Sequence, residues 1–249
     1  MKALPIILLC ATTPLLPAQS AKPETAETAK EGKDPEEKPA MIAEVLGKPI
    51  KADQSEALTS LIFTAMMGKY AKEKNIEATD KEIETFLAKG DEMGKVSRQG
   101  FVKDKKRLEE ELKSTTLSAA DRKKKEEELA MAEDLLKTMA EDADKPPERH
   151  PEETKMAREF VRTWKVNREL FKQYGGRVIF QQAGPEPVDA YRDFLREEEA
   201  KGSFRITDAK AKEVFWKYFT DESMHTFLDA KDGAQAMEIP WWLKEQKPE

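Results

Sequence analysis

Cysteine and histidine are scarce in this chain of 249 residues, which contains one cysteine, Cys10, and two histidines, His150 and His225. A single cysteine excludes an internal disulfide. Transition-metal centres draw mainly on cysteine and histidine side chains, and the carboxylates near His225 have no regular ligand spacing. The sequence also lacks the Gly-x-Ser-x-Gly nucleophile elbow of hydrolases, a phosphate-binding loop and the His-Glu-x-x-His motif of zinc peptidases. We therefore predict no metal site, no cofactor and no assigned catalytic residue, with a structural or incidental role for His225.

Glycine is also rare, with 11 residues, whereas 37% of the residues are charged. This balance favours solvated helices and disfavours a β-barrel or a β-sandwich. Acidic residues outnumber basic ones by 49 to 43, which gives a formal net charge of −6. Nucleic acids and anionic membranes bind basic surfaces, so neither is expected as a partner. We predict a mainly α (α+β) fold.

The one long apolar stretch lies at the N-terminus. Met1-Lys2 forms a short basic region, Ala3–Leu16 is apolar, and Ala18-Gln19-Ser20 fits the small-x-small pattern of a signal-peptidase site. The stretch is too short, and too interrupted by prolines, to be a membrane anchor. We therefore predict a signal peptide over residues 1–20, no membrane insertion, and export to the periplasm or the extracellular space.

The rest of the chain divides into a linker and one predicted domain. Residues 21–40 contain no large apolar side chain and predict a disordered linker. Residues 41–249 are expected to form a single helical domain with strands at Ile42–Leu46 and Val178–Gln182. Because a lone strand leaves its backbone groups unpaired, we predict that these two strands pair into a minimal two-stranded sheet.

A charged, antiparallel helical hairpin is predicted as an insertion at residues 99–144. Its apolar residues thin to a narrow seam, and Ser118 with Asp121 marks the start of its second helix. The seam of that second helix has coiled-coil spacing and consists of Leu129, Ala132, Leu136 and Met139. The hairpin is therefore expected to project from the body as a solvated arm.

Two local signals set helix ends outside the hairpin. Thr79 and Glu82 have the spacing of a capping box, which predicts a helix start at this point. Gly175-Gly176 follows a strongly amphipathic segment, and glycine accepts the left-handed conformation that ends many helices.

The N-terminal part of the predicted domain resembles a known family. The stretch Ile42–Ile50 reads as a strand and turn, the following helix ends at Tyr70–Ile76, and Thr79–Ile83 caps the next helix. Residues 41–90 thereby resemble the N-terminal chaperone region of the SurA/PrsA-type extracytoplasmic folding factors, although Leu46 stands where asparagine is usual. The resemblance implies a SurA-like helical core that binds unfolded or partly folded exported polypeptides.

The same family often carries a parvulin prolyl-isomerase domain. Residues 177–249 hold one convincing strand, and they have neither the Gly-Gly-x-Leu-Gly loop nor the paired histidines of a parvulin site. The resemblance therefore implies chaperone-type binding without isomerase catalysis.

Two groups of residues are candidates for peptide binding. Phe63, Met66 and Met67 could form a soft apolar surface, because methionine is flexible and polarizable. The alternative for this group is core packing on one helix face. Gln181 and Gln182 could bond an extended peptide backbone if they line a groove, and otherwise they are ordinary outward-facing polar residues.

Two alternative functions remain open at this stage. Glu186 and Asp189 flank a rigid proline after the second predicted strand and could form the acid/base pair of an exported hydrolase, either a peptidase or a glycosidase. Asp189 would otherwise stabilise the first turn of a helix through its charge. The other alternative is an envelope scaffold that binds one partner through the helical hairpin.

Removal of the leader is the first testable expectation. Protein isolated from its native envelope or culture medium should have an intact mass corresponding to a chain that starts near residue 21, because the leader has each part of a cleavable signal. A mass that includes residues 1–20 would contradict export by this route.

Overall fold

The computed structural model describes residues 40–140 and 149–244. The proposed leader and all of the proposed linker except Ala40 lie outside these residues. The strands are β1 (Met41–Val45), β2 (Lys48–Lys51), β3 (Ile179–Gln181), β4 (Gly184–Glu186) and β5 (Phe204–Ile206). The helices are α1 (Leu58–Glu73), α2 (Asp80–Leu112), α3 (Ala119–Ala140), α4 (Pro151–Tyr174), α5 (Val188–Ala200), α6 (Ala209–Thr220) and α7 (Ala230–Glu238).

The predicted mainly α (α+β) class is confirmed. Residues 41–249 were predicted to form one domain, whereas the described residues form two compact units. The first contains residues 78–140, 149–161 and 242–244, and the second contains residues 40–77 and Arg162–Trp241. Helix α4 contributes its N-terminal part to the first unit and its C-terminal part to the second. Within the described ranges, no helix combines the length and the apolar character needed to cross a membrane.

The first unit is built on the antiparallel pair α2 and α3. The Thr79 hydroxyl accepts a hydrogen bond from the Glu82 backbone N–H, and the Glu82 carboxylate accepts one from the Thr79 N–H at 2.8 Å, so the predicted capping box is confirmed. The hydroxyl of Ser118 likewise accepts from the Asp121 N–H at 3.1 Å, which confirms the start of the second hairpin helix.

The hairpin seam is narrow, as predicted. Leu108 and Ala132 are buried between the two helices, and Lys105 lies 2.9 Å from Glu133 across them. The predicted boundary at residue 99 is wrong, because α2 runs without interruption from Asp80 to Leu112. The predicted end of the hairpin, at residue 144, lies outside the described residues.

An aromatic cluster also holds the first unit together. Phe86 on α2 stacks on Phe160 of α4 with ring centroids 5.7 Å apart, and it meets the Trp242 ring edge-to-face at 5.1 Å. Such pairs add about 0.5–1.5 kcal/mol beyond the apolar area that they bury.

The predicted pairing of the two strands is wrong. Strand β1 pairs antiparallel with β2 on one side and with β5 on the other, giving the sheet order β2-β1-β5. Strand β3 pairs with β4 in a separate two-stranded hairpin. Each of the two predicted strands thus has a partner only a few residues away, and closing such a short loop costs less conformational entropy than joining segments about 130 residues apart.

The core of the second unit lies between β1, β5, α1, α5, α6 and the C-terminal part of α4. Burying one large apolar side chain contributes about 1.5–3 kcal/mol, so these side chains supply most of the stabilisation of the unit. The largest side chains of this core that are almost fully buried are Leu58, Ile62, Met66, Leu170, Leu195, Phe204 and Phe215.

The end of α4 agrees with the sequence analysis. The helix stops at Tyr174, and both Gly175 and Gly176 have positive φ angles, of 68° and 91°. The Gly175 N–H donates to the Phe171 carbonyl at 2.7 Å, which closes the last turn of the helix. The chain can then turn toward β3.

The β1–β2 turn generates a stability prediction. Leu46 and Gly47 form a two-residue loop with φ angles of 50° and 76°, as a type I′ turn requires. A leucine in this conformation is strained by about 1–2 kcal/mol, and Leu46 is 48% exposed. Leu46→Asn should therefore stabilise the protein by roughly 0.5–1 kcal/mol, measured by urea unfolding.

Gly47→Ala is the matched control, because alanine at a φ of 76° adds strain without changing polarity. This variant should be destabilised. A lower unfolding midpoint for Leu46→Asn than for the parent protein would contradict the proposed strain.

Candidate functional site

A polar cluster lies in the second unit where α4, β4, α5 and α6 contribute neighbouring side chains. Its members are Asn167 of α4, Glu186 at the end of β4, Tyr191 of α5 and Tyr218 of α6. Pro187 stands at the N-cap of α5 directly after Glu186, and its fixed φ sets the direction of the turn from strand to helix.

Asn167 and Tyr191 form the inner part of this cluster, and both are buried. The Tyr191 hydroxyl donates to Asn167 Oδ1 at 2.7 Å, and Asn167 Nδ2 donates to the Pro185 carbonyl at 3.0 Å. Pro185 has no N–H of its own, so this bond fastens its strand through the carbonyl. The two side chains therefore connect β4 to α4 and α5.

Glu186 forms the outer part of the cluster and is half-buried. The Tyr218 hydroxyl donates to its Oε2 at 3.4 Å, which is a long hydrogen bond. Burial raises the pKa of Glu186 to about 7, and the bond from Tyr218 only partly opposes this. Burial and the charge of Glu186 in turn raise the pKa of Tyr218, so its phenol keeps its proton.

Asp189 has a different environment from Glu186. Its Oδ2 accepts from both the backbone N–H and Nε of Arg177 at 2.8 Å, and its Oδ1 accepts from Arg192 Nη1 at 2.9 Å. The hydrogen bond from the Arg177 side chain is the largest influence and lowers the pKa of Asp189. Gly176 packs so closely against Asp189 that an added Cβ would collide with it.

The two carboxyl groups that sequence analysis considered as an acid/base pair therefore have separate partners. Asp189 lies in the first turn of α5, as expected, but its oxygens bind Arg177 and Arg192 rather than the free N–H groups of that turn. Glu186 can take up and release a proton near neutral pH. Asp189 remains ionised and serves to anchor the chain after α4.

The apolar peptide-binding candidates lie in or beside the core. Met66 is 0% exposed, so the core-packing interpretation is correct for it and a client-binding role is wrong. Phe63 is partly buried, with its ring edge-to-face on Tyr191 at 4.9 Å and stacked near Phe219 at 6.0 Å. Met67 is also partly buried against the core. These three side chains do not form an open surface.

The two glutamine candidates lie at the tip of the β3–β4 hairpin, and both are exposed. Gln181 is the last residue of β3, and Gln182 lies in the two-residue turn. Side chains alternate along a strand, so Gln181 faces the opposite side of the hairpin from Phe180. Both amides are therefore exposed to solvent, but they do not form a continuous row along one face of a strand.

An aromatic pair that was not predicted from the sequence lies beside these glutamines. Phe180 is 46% exposed, and its ring meets the Trp241 ring edge-to-face with centroids 6.4 Å apart. Trp241 packs over Gly184, where an added Cβ would lie 2.5 Å from the indole nitrogen. The signal available in the sequence was Gly184 itself, because a glycine beside a strand often allows close approach of another group.

His225 has a structural environment. Its Nε2 lies 2.6 Å from the Tyr218 carbonyl near the end of α6, and its ring meets the Tyr218 ring edge-to-face at 5.0 Å. These contacts hold the segment after α6 against the helix that carries Tyr218.

The first unit contains an open cleft of about 380 Å³ between α2 and the start of α4. Two of its lining residues form ion pairs within the unit: Arg149 with Asp91, and Asp80 with Arg158 at 3.1 Å. These pairs fasten the start of α4 to α2. The residues lining the cleft are Asp80, Ile83, Glu84, Leu87, Arg149 and Thr154.

The Asp189 anchor generates a pH-dependent prediction. Asp189→Asn should lower the free energy of unfolding by about 1–3 kcal/mol at pH 7, because two arginines lose a partly buried anionic partner. The native pKa of Asp189 lies below its unfolded value. The stabilisation is therefore complete above about pH 5 and is lost as pH falls through the native pKa.

Asp193→Asn is the control for this measurement. Asp193 also contacts Arg192, at 2.9 Å, but its side chain is 42% exposed, so the loss should be under about 0.5 kcal/mol. Equal losses in the two variants, or a deficit in Asp189→Asn that persists at pH 2, would contradict the anchoring role.

The chain has no match among the protein-family models, the curated proteins or the solved structures with which it was compared.

Proposed function

We propose that this protein is an exported, chaperone-like protein that binds unfolded or partly folded polypeptides without catalysing a reaction. The observation that carries the proposal is the aromatic pair of the exposed Phe180 and the partly buried Trp241, which we call the hairpin patch. Ile239, two residues before Trp241, is 44% exposed and adds apolar surface to the same part of the chain.

The chemistry of the hairpin patch suits loose recognition of polypeptides. Aromatic rings offer large, rigid contact areas and are frequent in binding surfaces, so they can accept many apolar side chains. The exposed amide of Gln182, in the turn of the hairpin, can bond to the backbone of a bound segment regardless of its sequence. A surface that accepts many sequences is optimal for none, so weak binding is expected.

The N-terminal region also supports the proposal. Residues 41–90 resemble the chaperone region of the SurA/PrsA-type factors in sequence, with Leu46 as the departure in the first turn. Leu46 nevertheless adopts the positive φ that asparagine accepts more readily, and the turn closes between β1 and β2. The departure in sequence therefore leaves the local geometry of the turn intact.

Both alternative functions have less support. A hydrolase based on Glu186 and Asp189 would need both carboxylates at the substrate, and Asp189 is engaged by Arg177 and Arg192. A scaffold that binds through the helical hairpin would need an open apolar seam. Leu108 and Ala132 are buried between α2 and α3, and the other seam residues of α3 are partly buried: Leu129, Leu136 and Met139.

Chaperone activity can be tested by light scattering. The chain from residue 21 onward should suppress aggregation of a chemically denatured test protein at a near-stoichiometric ratio and without ATP. Phe180→Ser should raise the concentration needed for half-suppression by roughly fivefold, which corresponds to a loss of about 1 kcal/mol of binding energy. Phe180→Leu retains apolar surface and should have a smaller effect.

Val214→Ser is the matched control. Val214 is 59% exposed on α6, so this substitution removes an exposed apolar side chain elsewhere in the second unit. Circular dichroism and thermal unfolding should first show that each variant is folded. No suppression by the folded parent protein would overturn the proposed function. Equal losses in Phe180→Ser and Val214→Ser would overturn the assignment of the hairpin patch.

A further inference from the structure

The β3–β4 hairpin, which carries Phe180 of the hairpin patch, is held at β3 by a backbone bridge between Ile179 and Phe227, and at β4 by two hydrogen-bonded side-chain attachments. One attachment is neutral: Asn167 donates to the Pro185 carbonyl at 3.0 Å. The other runs from Glu186, the last residue of β4, to the Tyr218 hydroxyl of α6 at 3.4 Å. In the second attachment, the carboxyl group of Glu186 can change its charge.

The surroundings of Glu186 favour its neutral form. Among the described residues, the Tyr218 hydroxyl is the one hydrogen-bond donor to this half-buried carboxyl, and no arginine, lysine or histidine lies within ion-pair distance of it. A carboxylate removed from water needs a cation or several donors to offset the lost hydration. A single long hydrogen bond from a phenol does not offset it, whereas a neutral carboxyl group requires far less compensation.

The other titratable groups near Glu186 do not supply that compensation. Tyr191 and Tyr218 remain protonated because burial raises both pKa values. Arg192 of α5 is bound to Asp189 and Asp193, and His225 bonds to the Tyr218 carbonyl. Helix α7 also packs near β4, but its ionisable side chains are exposed: Lys231, Asp232 and Glu238.

We propose that Glu186 is a proton-responsive switch that sets how firmly the β3–β4 hairpin is seated on α6. Neutral Glu186 keeps the end of β4 packed against Tyr218. Ionised Glu186 gains hydration when the hairpin moves away from α6, so the open state becomes more populated. The consequence for client binding rests on the proposed function, whereas the change in hairpin opening does not.

The direction of the effect follows from the two protonation states. Burial raises the pKa of Glu186 from its ordinary value of 4.5 to about 7 in the closed state, and hydration in the open state should return it to the ordinary value. The closed state therefore binds the extra proton between these values, and its advantage declines as pH rises through 7. With these two values, the opening equilibrium should shift by up to about tenfold between pH 6 and pH 8.

Hydrogen exchange with mass spectrometry measures this opening directly. The full chain, free of any client, is labelled at pH 6 and pH 8, and the rates of the peptide spanning residues 177–187 are corrected for the intrinsic pH dependence of exchange. Protection of this peptide should fall severalfold from pH 6 to pH 8 in the parent protein. The drop should be absent in Glu186→Gln, which cannot ionise.

Glu213→Gln is the control, because Glu213 is an exposed glutamate on α6. It should keep the pH dependence of the parent protein. If Glu186→Gln fails to fold, Tyr218→Phe replaces it: loss of the phenol donor disfavours the ionised form and should move the transition to higher pH. A parent protein without pH-dependent protection, or a Glu186→Gln variant that retains it, would overturn the switch.

Aggregation suppression at the same two pH values separates this inference from the proposed function. If both proposals hold, the parent protein should suppress aggregation to different extents at pH 6 and pH 8. Glu186→Gln should suppress aggregation to the same extent at both pH values. If exchange depends on pH but no suppression occurs, the switch stands and the proposed function fails. If suppression occurs but exchange is independent of pH, the switch is overturned and the proposed function stands.

Discussion

The closure of the second unit depends on the buried carboxylate of Glu198. This side chain on α5 is 2% exposed, and it accepts hydrogen bonds from Lys69 of α1 at 2.7 Å, from Lys201 at 2.9 Å and from Ser203 at 2.6 Å. Burial alone would raise the pKa of Glu198, but these bonds lower it to about 2. The contact with Lys69 joins residues 129 positions apart, beside the pairing of β1 with β5. The side chain of Lys69 is 25% exposed, so its removal should cost about 1–3 kcal/mol, less than the loss of a partner from a fully buried pair.

Three carboxyl groups of the second unit show how partners decide the role of a buried acid. Glu198 has two lysines and a hydroxyl, and Asp189 has two arginines and a backbone N–H, so the pKa of each is lowered and each remains ionised. Glu186 has only a phenol, and its pKa rises to about 7. The first two therefore fix the fold over the whole neutral range. Of these three carboxyl groups, Glu186 is the one that changes charge near neutral pH. It lies at the base of the hairpin that presents Phe180.

The parts of the fold that could be predicted from sequence are those that local chemistry determines. The capping pair Thr79 and Glu82 and the turn at Gly175-Gly176 required only the preferences of a few adjacent residues. Strand pairing was not predictable in this way, because β2 contains Pro49 and β5 has three residues, so neither gives a strong strand pattern. The partners of Glu186 and Asp189 were likewise hidden, since Arg177 and Tyr218 reach them through tertiary packing.

The hairpin patch and the Glu186 switch address different requirements of the proposed function. A protein that captures many apolar segments without hydrolysing a nucleotide must release them through weak affinity or through a change in its own surface. Phe180 lies on a hairpin of two three-residue strands, and such a short pair has little stability of its own. Its position therefore depends on the bridge between Ile179 and Phe227 and on the side chains beneath the hairpin. Because one of these is an acid that titrates near neutral pH, a modest change in proton concentration can alter the presented surface while the core stabilised by Glu198 stays closed.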